Sequence, residues 1–358
     1  MNRLIIVGNG FDLAHGLKTR YTDFLLWYLK DCLKQSGKNI HSQLFDITFK
    51  RVIINDSIYQ TNDLKSFFEF AKYSGIEING KDTYFTRDII DNLEIKNWVD
   101  LEHLFYKNLI KRFKIIKENI QSEKPQSTID KGVDLLKGLN QTMDILKSEL
   151  VRYLLEEEEK FNFKNINSEL IESIISENLF SEKNGVEGSV YNVRILNFNY
   201  TNLVSNYIIK INKDYVKELQ IHGKLGNPES VVFGFGDEYD SKYKEIEELN
   251  INEFFNNIKS FKYFQNSVYQ DLMSFINSGE KLEVVVLGHS LGLSDRTMLS
   301  EIFNSENLHF VKLFFHLKDD TDDYVEKTHE ISRHFKDNAK MRVKIASKLD
   351  SSPMPKII

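Results

Sequence analysis

Four short runs hold the side chains best suited to chemistry in this 358-residue sequence, and each follows an apolar stretch. The first is Gly8-Asn9-Gly10-Phe11-Asp12, after Leu4-Ile5-Ile6-Val7. Glycines here permit positive φ and let backbone N–H groups approach a ligand, while a helix that follows offers its N-terminus to a phosphate. The run is not a full dinucleotide fingerprint, because Leu13 stands at the third glycine position. Asp12 reads either as the cap of that helix or as part of a site. Arg20, in a loop that turns back over the run, reads as a contact for phosphate or carboxylate.

The second run, Asn197-Phe198-Asn199-Tyr200-Thr201-Asn202, packs three amides and a hydroxyl into six residues. One amide suffices to cap the next helix, so Asn199 is a candidate to face a ligand or a water. The third, Ile221-His222-Gly223-Lys224, sets an imidazole beside a glycine that leaves it accessible. A pKa near neutrality suits His222 to accept a proton from a ribose hydroxyl. The fourth is Gly288-His289-Ser290-Leu291-Gly292-Leu293-Ser294-Asp295. Read literally it is the G-x-S-x-G elbow of a serine hydrolase, with Ser290 as nucleophile. Asp319, Asp320 or Asp323 and His329 or His334 would complete the triad. Four residues intervene before the next helix, however, and little chain remains for the strands that carry such a triad. The competing reading makes Gly288 and Ser290 a second turn gripping ribose or phosphate, with Asp295 beside them.

The elements that must position these runs alternate. Apolar runs predict strands over 4–7, 193–198, 219–222, 231–235, 282–287 and 308–315. Helical spacing covers 12–15, 21–34, 201–213, 243–278, 295–304 and 322–337. Strands interleaved with helices predict an α/β fold, a doubly wound, Rossmann-like, mainly parallel sheet with a large helical insertion. The core is expected at 1–41 and 185–345, a mainly helical insertion or cap at 42–184, and a tail at 346–358. In such sheets ligands sit beyond the carboxyl ends of the strands, where all four runs fall. Within the insertion, Glu156-Glu157-Glu158-Glu159 reads as a solvated helix face. Asp100 and Glu102, after Trp98, either add a carboxylate to the pocket or face solvent at a helix start, the second being favoured.

Composition narrows the classes. The 47 Lys and Arg against 53 Asp and Glu give a net charge of −6 without a strongly basic segment, so a nucleic acid is not expected as main partner. One cysteine, Cys32, excludes an internal disulfide and a four-cysteine zinc ribbon, and no metal is predicted. The first apolar run is too short for a signal peptide or a membrane span, so a cytoplasmic location without membrane contact is the expectation. The aromatic residues of the middle, Phe67, Phe68, Phe70, Phe105 and Tyr106, read as core, with a subunit interface as the alternative.

Leu4 to Leu17, Trp98-Val99-Asp100-Leu101-Glu102, Phe198 to Asn202, Ile221-His222-Gly223 and Gly288 to Asp295 together resemble the bacteriophage abortive-infection AbiH family, from residue 3 to about residue 330. The resemblance implies an antiphage defence protein with a phage-derived trigger. The same order of features also resembles sirtuin-like domains, which bind NAD and in several defence systems hydrolyse it. That resemblance implies NAD as substrate or ligand, with Gly8 and Gly10 lining the diphosphate; Asn9, Phe11 and Asp12 of the same run are the further cofactor-binding candidates. It further implies Asn199 positioning the attacking water, His222 as the base near the ribose, and Gly288 with Ser290 on the adenosine side. Thr201 stands where those domains carry an aspartate, Asn9 replaces a small residue, and the insertion has no counterpart. Cleavage of the nicotinamide–ribose bond is thus the expected reaction, with Ser290 hydrolysis and nucleotide sensing without turnover as alternatives.

Overall fold

Leu4, Ile5, Ile6 and Val7 have no exposed surface, and their side chains divide by alternation between two apolar layers. That division sets the architecture, since a strand apolar on both faces must be covered on both. The computed structural model describes residues 1–34, 39–50, 56–81, 84–96, 100–176, 190–236, 242–318 and 321–354. In chain order the elements are β1 (Asn2–Val7), α1 (Asn9–Ala14), α2 (Tyr21–Leu33), β2 (Asn39–His41), β3 (Phe45–Phe49), α3 (Leu64–Tyr73), β4 (Ile76–Gly80) and α4 (Phe85–Lys96). Next come α5 (Leu101–Gln121), α6 (Gln126–Lys160), α7 (Glu169–Ser176), β5 (Asn192–Asn197), α8 (Leu203–Ile211), β6 (Val216–Gln220), α9 (Lys242–Glu248), α10 (Lys259–Lys262) and α11 (Val268–Ile276). The rest are β7 (Leu282–Leu287), α12 (Arg296–Asn304), β8 (Leu308–Phe315), β9 (Leu317–Lys318), β10 (Thr321–Asp322), α13 (Tyr324–Ser332), α14 (Asn338–Lys344) and β11 (Ser352–Pro353).

The main sheet has six strands in the order β11-β8-β7-β1-β5-β6, and every pairing in it is parallel. The chain builds outward from β1 through β5 to β6, then returns to the other side of β1 for β7 and β8. This is the strand order of Rossmann folds, and the reversal puts the topological switch point between β1 and β7. Helices α11, α12 and α13 cover one face through Leu272, Met298, Ile302 and Ile331. Helices α1, α7 and α8 cover the other through Phe11, Ile174, Val204 and Tyr207.

A third apolar cluster joins α2 to the helices of the middle. Leu136, Leu139, Met143, Leu146 and Leu150 recur at helical spacing on α6 and bury one stripe against it. Helix α2 therefore packs with the middle of the chain, whereas α7, late in that middle, packs on the main sheet. The middle also contains a small antiparallel sheet, β2-β3-β4, that helical periodicity did not foretell.

Two expected elements differ. Residues 231–235 form no strand of the main sheet; Phe235 N–H donates to Asn257 O at 3.1 Å and Lys259 N–H to Phe235 O at 2.8 Å, so the segment pairs with the approach to α10. The single helix expected over 243–278 is broken into α9, α10, α11 and short 3-10 turns. Trp98, Val99, Asp319 and Asp320 lie outside the described residues.

Candidate functional site

Gly8 caps α1 in an extended conformation (φ −134°), and α1 begins at Asn9. Positive φ is thus not what the first glycines supply. A Cβ at Gly8 would lie 2.6 Å from His289 Cα, and one at Gly10 would lie 2.7 Å from Gly288 O. Gly288 does have positive φ (73°), and its Cβ would lie 2.3 Å from Phe11 N. Gly10 N–H donates to Gly288 O at 2.8 Å, locking the turn after β1 to the turn after β7. The glycines therefore serve the contact between two strand ends at the switch point.

Beyond those ends opens a cavity of about 470 Å3. Of the residues singled out in the sequence, Gly8, Asn9, Gly10, Asp12, Arg20, Asn199, His222, Gly288, Ser290 and Asp295 line it. Phe11 does not: its ring faces the other way, 4.5 Å from His15 and 5.5 Å from Tyr207, in the apolar layer beneath the sheet. Asn9 is exposed and accepts a hydrogen bond from Thr19 Oγ1, which fastens the loop that carries Arg20 to the mouth. The Arg20 guanidinium is largely exposed and stands 3.9 Å from Asp23.

Asp12 is not the cap of α1 but a buried carboxylate on the cavity wall. Asn199 Nδ2 donates to Asp12 Oδ1 at 2.7 Å and to Gly8 O at 3.1 Å, and Thr201 Oγ1 donates to Asp12 Oδ2 at 2.8 Å. Burial pushes Asp12 up to about 7, against the pull of these two donors and with a further push from Glu158. The Asn199 amide N–H groups are thus spent on protein, and its Oδ1 accepts no hydrogen bond among the described residues. Asn197 is structural, accepting from Asn199 N–H and donating to Glu218. Asn202 donates its backbone N–H and Nδ2–H to Glu158, and Glu156 accepts from Trp27 Nε1 at 2.9 Å, so the acidic run on α6 is in part structural.

A second group of charges gathers around Lys259, which the sequence did not mark. Glu102, favoured there as a solvent-facing residue, is buried, accepts from Gly234 N–H at 3.2 Å and lies 3.0 Å from Lys259 Nζ. Lys259 Nζ also reaches Asp295 Oδ1 at 2.8 Å. Burial drives Glu102 up to about 7, although Lys259 opposes it. Asp295 goes the other way: despite burial, Lys259 and His222 hold it well below the usual carboxylate range. Asp100 caps α5, accepting from His103 N–H at 2.9 Å, and borders the cavity.

His222 gives Nδ1–H to Phe198 O at 3.1 Å, which leaves the lone pair of the neutral ring on Nε2. That nitrogen is buried, 3.2 Å from Asp295 Oδ1 but out of line for a hydrogen bond. Burial lowers the His222 pKa, Lys259 lowers it further, and Asp295 opposes both. Gly223 is required by the approach of Ser230 O, 2.0 Å from where its Cβ would lie, rather than by access to the imidazole. His289 accepts from Leu291 N–H at Nδ1, so its Nε2–H is the end that faces Asp295 Oδ2 at 3.6 Å. Lys259 and His289 are the residues missed; Lys259 sits in an unremarkable stretch, and nothing in the sequence could have marked it.

The Ser290 turn departs from a nucleophile elbow. The residue at positive φ is Leu291 (61°), not Ser290, and α12 starts only at Arg296. His334 Nε2–H is held by Leu291 O at 2.9 Å, and His329 is exposed on α13. Among the described residues no histidine bonds to Ser290.

A parallel sheet in this order, with a charged cavity at its switch point, defines a Rossmann-like α/β protein whose cavity lies where that class usually places its ligands. The family model for bacteriophage abortive infection AbiH matches residues 4–317, and the chain belongs to that family. Membership supports a role in defence against phage by abortive infection. No curated protein matches the chain. Among the described residues no helix is long and apolar enough to cross a membrane.

Proposed function

We propose that the cavity binds a nucleotide and hydrolyses NAD at the nicotinamide–ribose bond, as the step by which this protein serves abortive infection. The observation that carries the reading is the convergence of all four strand-end runs on one cavity at the switch point, walled by Asp12, Asp100, Glu102 and Asp295. Carboxylates there suit a cationic leaving group and the oxocarbenium-like ribose that its departure produces. In this reading Arg20 meets the diphosphate at the mouth, and the helical middle caps the site. Asn199, with its amide hydrogens committed, offers Oδ1 to orient the attacking water. His222 receives the proton at Nε2, where Asp295 stabilises the imidazolium.

Purified protein, alone and with extract of phage-infected cells, is assayed for nicotinamide release from NAD. Release that Asn199→Ala and His222→Ala abolish supports the reading. Absence of release in every condition, with Ser290 labelled by a fluorophosphonate, replaces it with the serine hydrolase. The buried position of His222 Nε2 favours one further reading, a sensor that binds NAD without turnover and signals through the helical middle. Saturable NAD binding without product selects it.

A further inference from the structure

We propose that Lys259 is a positioning residue, the buried ammonium that joins Glu102 of α5 to the Asp295 turn after β7 and so fixes Asp295 between the imidazoles of His222 and His289. The residue is 1% exposed, and an ammonium there is tolerated only because carboxylates surround it. Its backbone is pinned by the pairing of Lys259 N–H with Phe235 O, and Glu102 is pinned separately by Gly234 N–H. Two of the three members therefore have fixed places, and Asp295 is drawn to them. Asp295 Oδ1 takes Lys259 at 2.8 Å and faces His222 at 3.2 Å; Oδ2 faces His289 at 3.6 Å and Ser294 Oγ at 3.5 Å.

The consequence is chemical. An ionised carboxylate beside a bare imidazole nitrogen draws a proton onto it, and the two become an ion pair. Lys259 already satisfies Asp295 Oδ1, so His222 keeps its lone pair. The groups facing His222 are Lys259, Asp295 and His289, with the Tyr200 ring stacked 6.0 Å away and the Phe198 ring edge-on at 5.2 Å. Lys259 thus preserves the base form that the proposed hydrolysis needs, and in that respect the inference rests on the proposed reaction.

The test reads histidine titration directly, by NMR of imidazole-labelled full-length protein. Lys259→Met is expected to move the His222 titration to higher pH, and Lys259→Arg to return it towards wild type. Where Lys259→Met does not fold, the pair Lys259→Met with Glu102→Gln removes one of the two buried carboxylates, leaves Asp295 to pair with His222, and is expected to give the same upward move. His222 titrating as in wild type, in either folded variant that lacks the ammonium, overturns the proposal. The titration is visible whether or not NAD is cleaved. An upward move in a protein that leaves NAD intact therefore sinks the proposed reaction and keeps the role of Lys259. Where NAD is cleaved, the acid limb of the pH–rate profile moves up with His222.

Discussion

The amide of Asn199 donates to the Asp12 carboxylate at 2.7 Å, tying the end of β5 to the helix that follows β1. Burial, against the pull of that donor, makes the Asp12 carboxyl carry its proton to higher pH than it does in the unfolded chain. Asp12 titrates near 7 in the fold against an ordinary 3.8, so the folded state holds the extra proton between those values. Stability therefore falls as pH rises through that window, by at most about 4 kcal/mol from this group. Asp12→Asn is a neutral amide at every pH. Thermal melts are expected to show it gaining on wild type by about 2–3 kcal/mol between pH 5 and pH 8, with NAD turnover down by about 100-fold. A gap of equal size at both pH values would mean that Asp12 is already ionised at pH 5.

The glycine contact at the switch point makes a sharper stability prediction. Gly288→Ala adds a left-handed penalty of about 1–2 kcal/mol to a clash with the backbone of Phe11. The expected loss is about 3 kcal/mol or more in denaturant unfolding. Gly138, inside α6 with nothing within 4 Å of its Cβ position, is the control: Gly138→Ala is expected to stabilise by about 0.5–1 kcal/mol.

Ser290 is exposed on a turn whose strained residue is its neighbour. Ser290→Ala is expected to keep nicotinamide release within about fivefold, roughly 1 kcal/mol of barrier. The wild-type protein is expected to resist a fluorophosphonate. Stoichiometric labelling of Ser290, read by mass spectrometry, contradicts this.

Far from the cavity, at the opposite end of β1 and β7, Arg3 and Glu283 form a wholly buried ion pair at 2.7 Å, and Arg3 also donates to Ile174 O at 2.6 Å. Arg3→Met alone strands a carboxylate and is expected to cost about 3–5 kcal/mol. Arg3→Met with Glu283→Leu is expected to recover most of that loss in urea melts. NAD affinity of the folded fraction stays unchanged in both.

How much of this was legible depended on sequence distance. The strands at 4–7, 282–287 and 308–315 were readable because an apolar residue at every position is a local signal, and the sheet's parallel order followed from alternation with helices. Residues 231–235 carry the same signal, Val231-Val232-Phe233-Gly234-Phe235, but Val231, Phe233 and Phe235 pack with α2 and the helices of the middle, Val232 packs in the layer over the main sheet, and the backbone pairs with the approach to α10, which only tertiary contacts decide. Asn199, His222 and Asp295 were found because they follow strands. Lys259 and the burial of Glu102 were not, since an ion pair spanning 157 positions leaves no periodicity. Gly8 and Gly10 were noticed for the wrong physical reason, as sources of positive φ, when the bare backbone of another turn is what excludes their side chains.

That bare contact has a mechanical meaning. Where Gly10 and Gly288 touch, backbone meets backbone, with no side chain to rotate and give way. One rim of the cavity is therefore stiff. The rest of the lining includes side chains, among them Arg20 from the loop before α2, Tyr21 at the start of α2, and Leu150 and Leu154 from α6. Any change in the width of the cavity therefore falls to side chains elsewhere on its wall, since the glycine contact has none to move.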